Sequence, residues 1–342
     1  MKIFINNINR LKILQTNLSL MTLFVFLMFA PIKSQDSSNV SYSIDYLGTL
    51  TGNEQFKKNR NIAQIVYNLV LGNDDLNLQR PFAVYSHKQY FWILDQGQFA
   101  VIKLDSNNAN FSNITNNDYT FFPSLVGLTA SKNKIYFTDS KYSKVFVLNL
   151  ENDNDDITVL NDSISLNQPT GIVYNDYNCK IYICETQSHS IVVLDTNGNF
   201  IKRIGKRGTQ PGFFNYPTFI TVDKYGNIYI VDSMNFRVQI FTPEGEYTSH
   251  FGEHGDGSGF IASPKGIAID SYDHIFLVDA LFHRVQIFDI KGNYLSSIGS
   301  DRHENNQFWL PSGIFIDQSN KIYICDSYNK RIQMFQLSRD QK

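Results

Sequence analysis

Three pairs of opposite charge stand out by their positions. Asp232 precedes Arg237, Asp279 precedes Arg284 and Asp326 precedes Arg331, each by five residues, and each pair lies 47 residues from the next. A carboxylate beside a guanidinium can orient a substrate, but a reaction needs one such constellation and this chain repeats it. Repetition favours an ion-pair brace used once per structural unit. If buried, loss of one partner would cost about 3–5 kcal/mol, because the other charge is left without compensation. His189 and His283 each lie four residues beyond the acidic position of their unit, where other units carry Phe236 and Lys330. Two imidazoles fall short of the three protein ligands of a catalytic zinc, and as an acid–base couple they would sit in non-adjacent units. They read as exposed loop residues. The run Glu151, Asp153, Asp155, Asp156 offers oxygen ligands but lacks the glycine and spaced glutamate of a calcium loop, so it reads as solvated surface. There is no phosphate-binding glycine loop, no G-x-S-x-G and no paired-cysteine zinc motif. Neither a metal nor a cofactor is expected.

The elements that must position these residues are written as a repeat. Pro217, Pro264 and Pro311 share the 47-residue spacing, and so do the turn glycines Gly198, Gly245 and Gly292. Within a unit, GIAID and IFLV are short apolar runs separated by a polar turn, followed by RVQIF, a Lys-Gly-Asn turn and YLSSI. Such runs predict strands, and no segment keeps a helical period. The acidic positions Asp95, Asp139, Glu185, Asp232, Asp279 and Asp326 follow one another at 44 to 47 residues, which counts six units. Four antiparallel strands in each predict an all-β, six-bladed β-propeller. After the third strand of the last unit too little chain remains for a fourth, so an N-terminal strand is expected to complete that blade. The apolar stretch at 62–72 is the expected strand, with 35–61 a linker and 62–342 the propeller domain.

The pattern P-x-G-I-x-x-D followed by I-Y-I-x-D-S-x-N-x-R-(V/I)-Q-(I/M)-F, carried by the last three units, resembles the NHL repeat. The resemblance spans about residues 62–335 and fades towards the first unit. The YFTD of the second unit is similar to YWTD propellers. Among similar propellers, peptidylglycine amidating lyases place zinc-binding histidines directly after the repeat proline. Here those places read Phe82, Thr170, Thr218, Lys265 and Ser312, which argues against carrying over that activity. Strand one starts and strand two ends on one face, and a binding face is expected there from Thr170, Thr218, Lys265 and Ser312 together with His189, Phe236, His283 and Lys330 on the loops that join strands two and three. A channel-mouth metal enzyme of the lyase or hydrolase sort is the alternative. A ubiquitin-ligase part is a third reading, which three cysteines leave no room to equip with a zinc-bound RING.

Residues 1–34 carry four basic and no acidic side chains around an apolar run at 18–32, too short for a spanning helix and suited to a signal peptide or, failing cleavage, a membrane anchor. Without them 26 basic residues face 32 acidic ones, which disfavours nucleic acid as a partner. A secreted or lumenal location fits the sequons at Asn39, Asn110, Asn113 and Asn161. Cys179, Cys184 and Cys325 have no partner within plausible disulfide reach and read as core residues. The expectation is a monomeric binding scaffold for a protein, peptide or glycan, touching a membrane only if the N-terminal segment stays uncleaved.

Overall fold

The structure, a computed structural model, describes residues 32–35, 41–54, 76–115, 118–151, 156–299 and 305–339. Six antiparallel sheets stand around an axis. Blade one is built from Pro81–His87, Tyr90–Asp95, Ala100–Asp105 and Asn110–Ile114. Blade two follows with Leu125–Ala130, Lys134–Asp139, Lys144–Asn149 and Ile157–Val159, and blade three with Pro169–Asn175, Lys180–Glu185, Ser190–Leu194 and Phe200–Ile204. Blade four is Pro217–Val222, Ile228–Asp232, Arg237–Phe241 and Tyr247–Phe251. Blade five is Pro264–Ile269, Ile275–Asp279, Arg284–Phe288 and Tyr294–Ile298. Each innermost strand touches those of both neighbours, and blade six closes on blade one.

Burial explains the sequence pattern of each strand. Second strands such as Ile228–Asp232 and Ile275–Asp279 are buried throughout, because both faces of the sheet pack against neighbouring blades. They therefore read as continuous apolar runs rather than alternating ones. Fourth strands lie at the rim, and Phe200–Ile204 and Tyr247–Phe251 bury only their last residue. The core is the set of seams between blades; one seam joins Cys184, Ile191 and Val193 of blade three to Ile220, Ile228 and Ile230 of blade four.

Closure comes from the N-terminal side, as expected, but through a different segment. Blade six contains Ile314–Ile316, Lys321–Asp326 and Arg331–Arg339, and its fourth strand is Ser41–Leu50, with Ile32–Gln35 beyond it. The register runs from Tyr42 opposite Arg339 to Leu50 opposite Ile332, with a bulge at Gly48, whose φ of 149° suits only glycine. Gln35 and the ten residues Ser41–Leu50 of the expected linker 35–61 are thus part of the propeller, and residues 62–72 lie outside the described residues. The physical reason is alternation. Tyr42 and Ile44 point into the seam with Phe308, Phe335 and Leu337, and Leu50 into the seam with Tyr323 and Ile332, while Asp45 faces solvent. The bulge switches the buried face, so the strand packs on blade five through Tyr42 and Ile44 and on blade one through Leu50. Among the described residues no helix is long and apolar enough to cross a membrane.

Candidate functional site

The repeated acid is a structural clamp. In every blade its carboxylate is buried and accepts backbone N–H groups from the loop leading into the innermost strand of its own blade. Asp95 takes Gln79 and Arg80, Asp139 takes Ser124, Glu185 takes Asn167, Asp232 takes Asn215, Asp279 takes Ala262 and Ser263, and Asp326 takes Trp309, all between 2.6 and 3.1 Å. The arginine is an addition to this clamp, not its basis. Arg237 Nε reaches Asp232 at 2.9 Å and Arg331 Nε reaches Asp326 at 2.7 Å, as expected. Arg284 does not pair with Asp279: its guanidinium lies over the Phe282 ring and donates to the Gly257 carbonyl at 2.8 Å, leaving a buried Nε without a partner. Phe282 supplies a ring face that competes for the planar guanidinium. In blade three Glu185 instead draws Arg203 from the fourth strand in a two-pronged contact at 2.9 and 3.0 Å. Burial raises the carboxyl of Glu185, but Arg203 and the Asn167 amide outweigh it and hold the group below its usual range.

Sequence reasoning missed the glutamine of R-(V/I)-Q. Gln239, Gln286 and Gln333 are fully buried, and each amide accepts from and donates to the loop ahead of its blade, at Gly212 and Phe213, Gly259 and Phe260, and Asn306 and Gln307. Their 47-residue spacing was the available signal; a neutral side chain simply draws less attention than a charge.

The expected binding residues divide into two groups. The residue after the repeat proline points into the seams. Thr170 and Ser312 are buried, and their hydroxyls pair at 2.6 Å with those of Thr186 and Ser327, which donate to Pro217 and Pro81 carbonyls of the next blade. The Thr218 hydroxyl pairs with that of Ser233 within blade four. These hydroxyls join blades and are not free for a ligand, which corrects the expectation for Thr170 and Ser312. Blade five is the exception. Ala280 takes the place of the second hydroxyl, Lys265 that of the first, and the link to blade six is a backbone bond from Gly266 to Ser312. Burial lowers the pKa of Lys265.

His189, Phe236, His283 and Lys330 do share one face, in the loops between strands two and three. Each adopts left-handed backbone, with φ of 52 to 56°, and Phe99 and Ser143 repeat the conformation in blades one and two. His189 Nδ1 accepts from the Tyr216 amide at 3.1 Å, and His283 Nδ1 from the Leu310 amide at 3.0 Å. His189 is buried, not exposed as expected, because its ring packs on Tyr216 at 4.4 Å while capping that loop. Burial, then Arg207, lowers its pKa. Lys330 reaches Gln79 at 3.2 Å and the Phe236 ring covers His254. Among the described residues no group of three His, Cys, Asp or Glu is placed to hold a metal.

On the same loop face, two residues beyond the acid, Met234, Leu281 and Tyr328 are exposed on consecutive blades, and Trp309 packs on Tyr328 with ring centroids 5.5 Å apart. Below this face the axis is closed. Phe82 of blade one and Phe219 of blade four, on opposite sides of the ring, stack with centroids 6.1 Å apart. At the place of Phe219 four of the other five inner strands carry glycine, Gly127, Gly171, Gly266 and Gly313, where a Cβ would run into the neighbouring inner strand. A Cβ at Gly313 would meet the Phe82 carbonyl at 2.4 Å. Beneath the stack the innermost strands enclose a cavity of about 430 Å3, which reaches the opposite face.

A family described as a 6-bladed beta-propeller matches residues 158–238 and 270–341. No curated protein matches the chain. Among solved structures, the propeller is similar to a streptogramin B lyase (13% identity, 91% of this chain and 94% of that one, TM-score 0.58). It is also similar to an auxiliary nutrient binding protein from Bacteroides thetaiotaomicron (12%, 77% and 70%, TM-score 0.61) and to another from Bacteroides ovatus (14%, 88% and 77%, TM-score 0.60). At these identities the likeness is one of fold.

The sequons also separate. Asn110 and Asn113 are exposed on the rim strand of blade one, and Asn39 lies outside the described residues. Asn161 is buried: its carbonyl accepts from the Val145 amide at 2.8 Å and its amide nitrogen donates to Ser143 and Ile164 carbonyls. A glycan replaces one of the two Nδ2 hydrogens and needs open space beside it, whereas this side chain is buried with both donations in use, so Asn161 is a structural residue and not the glycosylation site expected of it. Cys184 and Cys325 are core residues and Cys179 is exposed; all three are free thiols.

Proposed function

We propose that this propeller is a secreted or lumenal binding scaffold that docks a protein partner on the face carrying the loops between strands two and three. The single observation that carries the reading is the apolar arc of Met234, Leu281, Tyr328 and Trp309, which are 54, 57, 48 and 41% exposed. Single exposed apolar residues are ordinary, but the same position left apolar on three consecutive blades is a patch, and patches of this kind mark interaction surfaces. The aromatic pair Trp309–Tyr328 is of the type that anchors protein interfaces. The loops are rigidly held by the buried acids and glutamines, so little ordering is lost on binding. That two structural neighbours are named auxiliary nutrient binding proteins supports a binding role and says nothing of the partner. Residues 1–34 would serve as the leader, whose removal would take most of the outer strand Ile32–Gln35 and leave the Ser41–Leu50 strand in place.

The test is affinity capture with the purified mature chain from the secretions or membranes of its own cells. A partner retained in stoichiometric amount should be lost with Leu281→Asp and Tyr328→Asp combined, in a protein whose unfolding temperature is unchanged. Retention of the same partner by that variant would overturn the reading.

A further inference from the structure

The cavity on the axis plays no part in the docking surface, and its chemistry differs. Phe219, whose ring stacks on Phe82, lines one end, and the other end opens between the turns that join strands one and two. Asp176 of blade three and Lys224 of blade four stand among its lining at that mouth, with Tyr85, Phe219 and Phe315 deeper inside. About 430 Å3 falls in the range of small-molecule pockets, about 300–1,000 Å3.

We propose that this cavity binds a small organic cation, a primary or quaternary ammonium compound, with the charged head at Asp176 and the apolar part against the aromatic rings below the stack.

The charges at the mouth differ in what already holds them. Lys224 is committed to Asp273 at 2.9 Å. Asp223 is engaged by its own turn, accepting from the Tyr225 and Asn227 amides and from the Asn227 side chain. Asp176 has no hydrogen-bond or ion-pair partner among the described residues. Its field nevertheless crosses the opening. Burial first, and then the Asp176 charge, raises the Tyr85 phenol two blades away, and the same charge adds to the rise at Tyr174. The carboxylate is itself partly desolvated, which raises its pKa and leaves less of its own water to strip when a cation pairs with it.

The walls suit such a guest. Tyr85 and Phe315 meet with centroids 4.9 Å apart, and Phe219 lines the end away from the mouth. Ring faces attract ammonium groups, and aromatic residues beside one carboxylate are the usual recognition of weakly hydrated cations. The mouth is also held open by contacts between turns. Asn175 donates to the Gly226 carbonyl at 2.9 Å, Lys224 bridges to Asp273, and Asn320 donates to Ser271 at 2.8 Å, so blades three to six form a fixed rim. A preformed rim limits the entropy lost on binding.

The experiment is calorimetric titration of the full chain with choline and with its neutral carbon isostere 3,3-dimethylbutan-1-ol, and of butylamine against butanol. At least one ammonium compound should bind about tenfold or more tighter than its neutral partner. Asp176→Asn, an exposed turn substitution, should abolish that preference while leaving unfolding unchanged, and Phe315→Leu should weaken both cations. Leu281→Asp should have no effect, which separates this site from the docking face. Equal binding of the neutral isosteres, an undiminished preference in Asp176→Asn, or no binding of either ammonium compound at millimolar concentration would each overturn the proposal.

Discussion

Arg237 and Arg284 occupy the same repeat position, yet removing them should have different consequences. Arg237→Met leaves Asp232 buried with its guanidinium partner gone, and also removes donations to the Gln210 and Phe213 carbonyls at 3.1 and 3.0 Å. Losing one member of a buried pair costs about 3–5 kcal/mol. Asp232 keeps the Asn215 amide, the Asn235 side chain and Gln239 as donors, so the lower end, about 3 kcal/mol, applies. Arg284→Met breaks one bond to the Gly257 carbonyl, about 1 kcal/mol, and removes a buried Nε that has no partner. Methionine keeps much of the contact with Phe282. The gap is therefore about 2 kcal/mol, or about 4 °C in unfolding temperature for a domain of this size. Scanning calorimetry of both variants beside the parent reads it directly. Equal losses, or a larger loss for Arg284→Met, would refute the view that the brace in blade five is broken.

Other expectations follow from the same contacts. Glu185 is held below its usual pKa, so its contribution to stability is full above the unfolded value near 4.5 and is lost as pH falls through the folded one. Urea unfolding of Glu185→Gln should show a flatter acid limb than the parent. Removing residues 1–50 should destabilise blade six by about 5 kcal/mol through the loss of Tyr42, Ile44 and Leu50 from the seams, whereas removing 1–31 should not; thermal unfolding distinguishes them. Gly313→Val would drive a side chain into the Phe82 carbonyl and should cost about 1–3 kcal/mol or more in denaturant unfolding. In a glycosylating host, peptide mapping should find glycans at Asn110 or Asn113 and none at Asn161.

The six blades and their four strands were legible in the repeat spacing, because burial between blades imposes the same apolar runs at the same interval each time. The direction of closure was legible too, from the missing fourth strand. Which segment closes was not. Residues 62–72 are more apolar than Ser41–Leu50, but a rim strand is chosen by alternation and by its match to Arg331–Arg339, and neither shows in a count of apolar residues. The candidate sites fared in a similar way. The loops carrying Phe236, His283 and Lys330 do share a face, whereas Thr170 and Ser312 were mistaken for surface because the neighbouring blade, to which their partners Thr186 and Ser327 donate, covers them.

By itself the sequence determined what the repeats do alike: a proline, a glycine or both at the head of most inner strands, a buried acid to hold the loop before each, an apolar second strand. Those constraints are local and recur, so spacing reveals them. Only the folded ring decided what happens where unlike blades meet. Phe82 and Phe219 lie far apart in the chain and touch because they stand on opposite sides of one axis. Asp176 reaches the field of Tyr85 for the same reason. Contacts across the axis depend on how many blades close and at what radius, which no single repeat encodes.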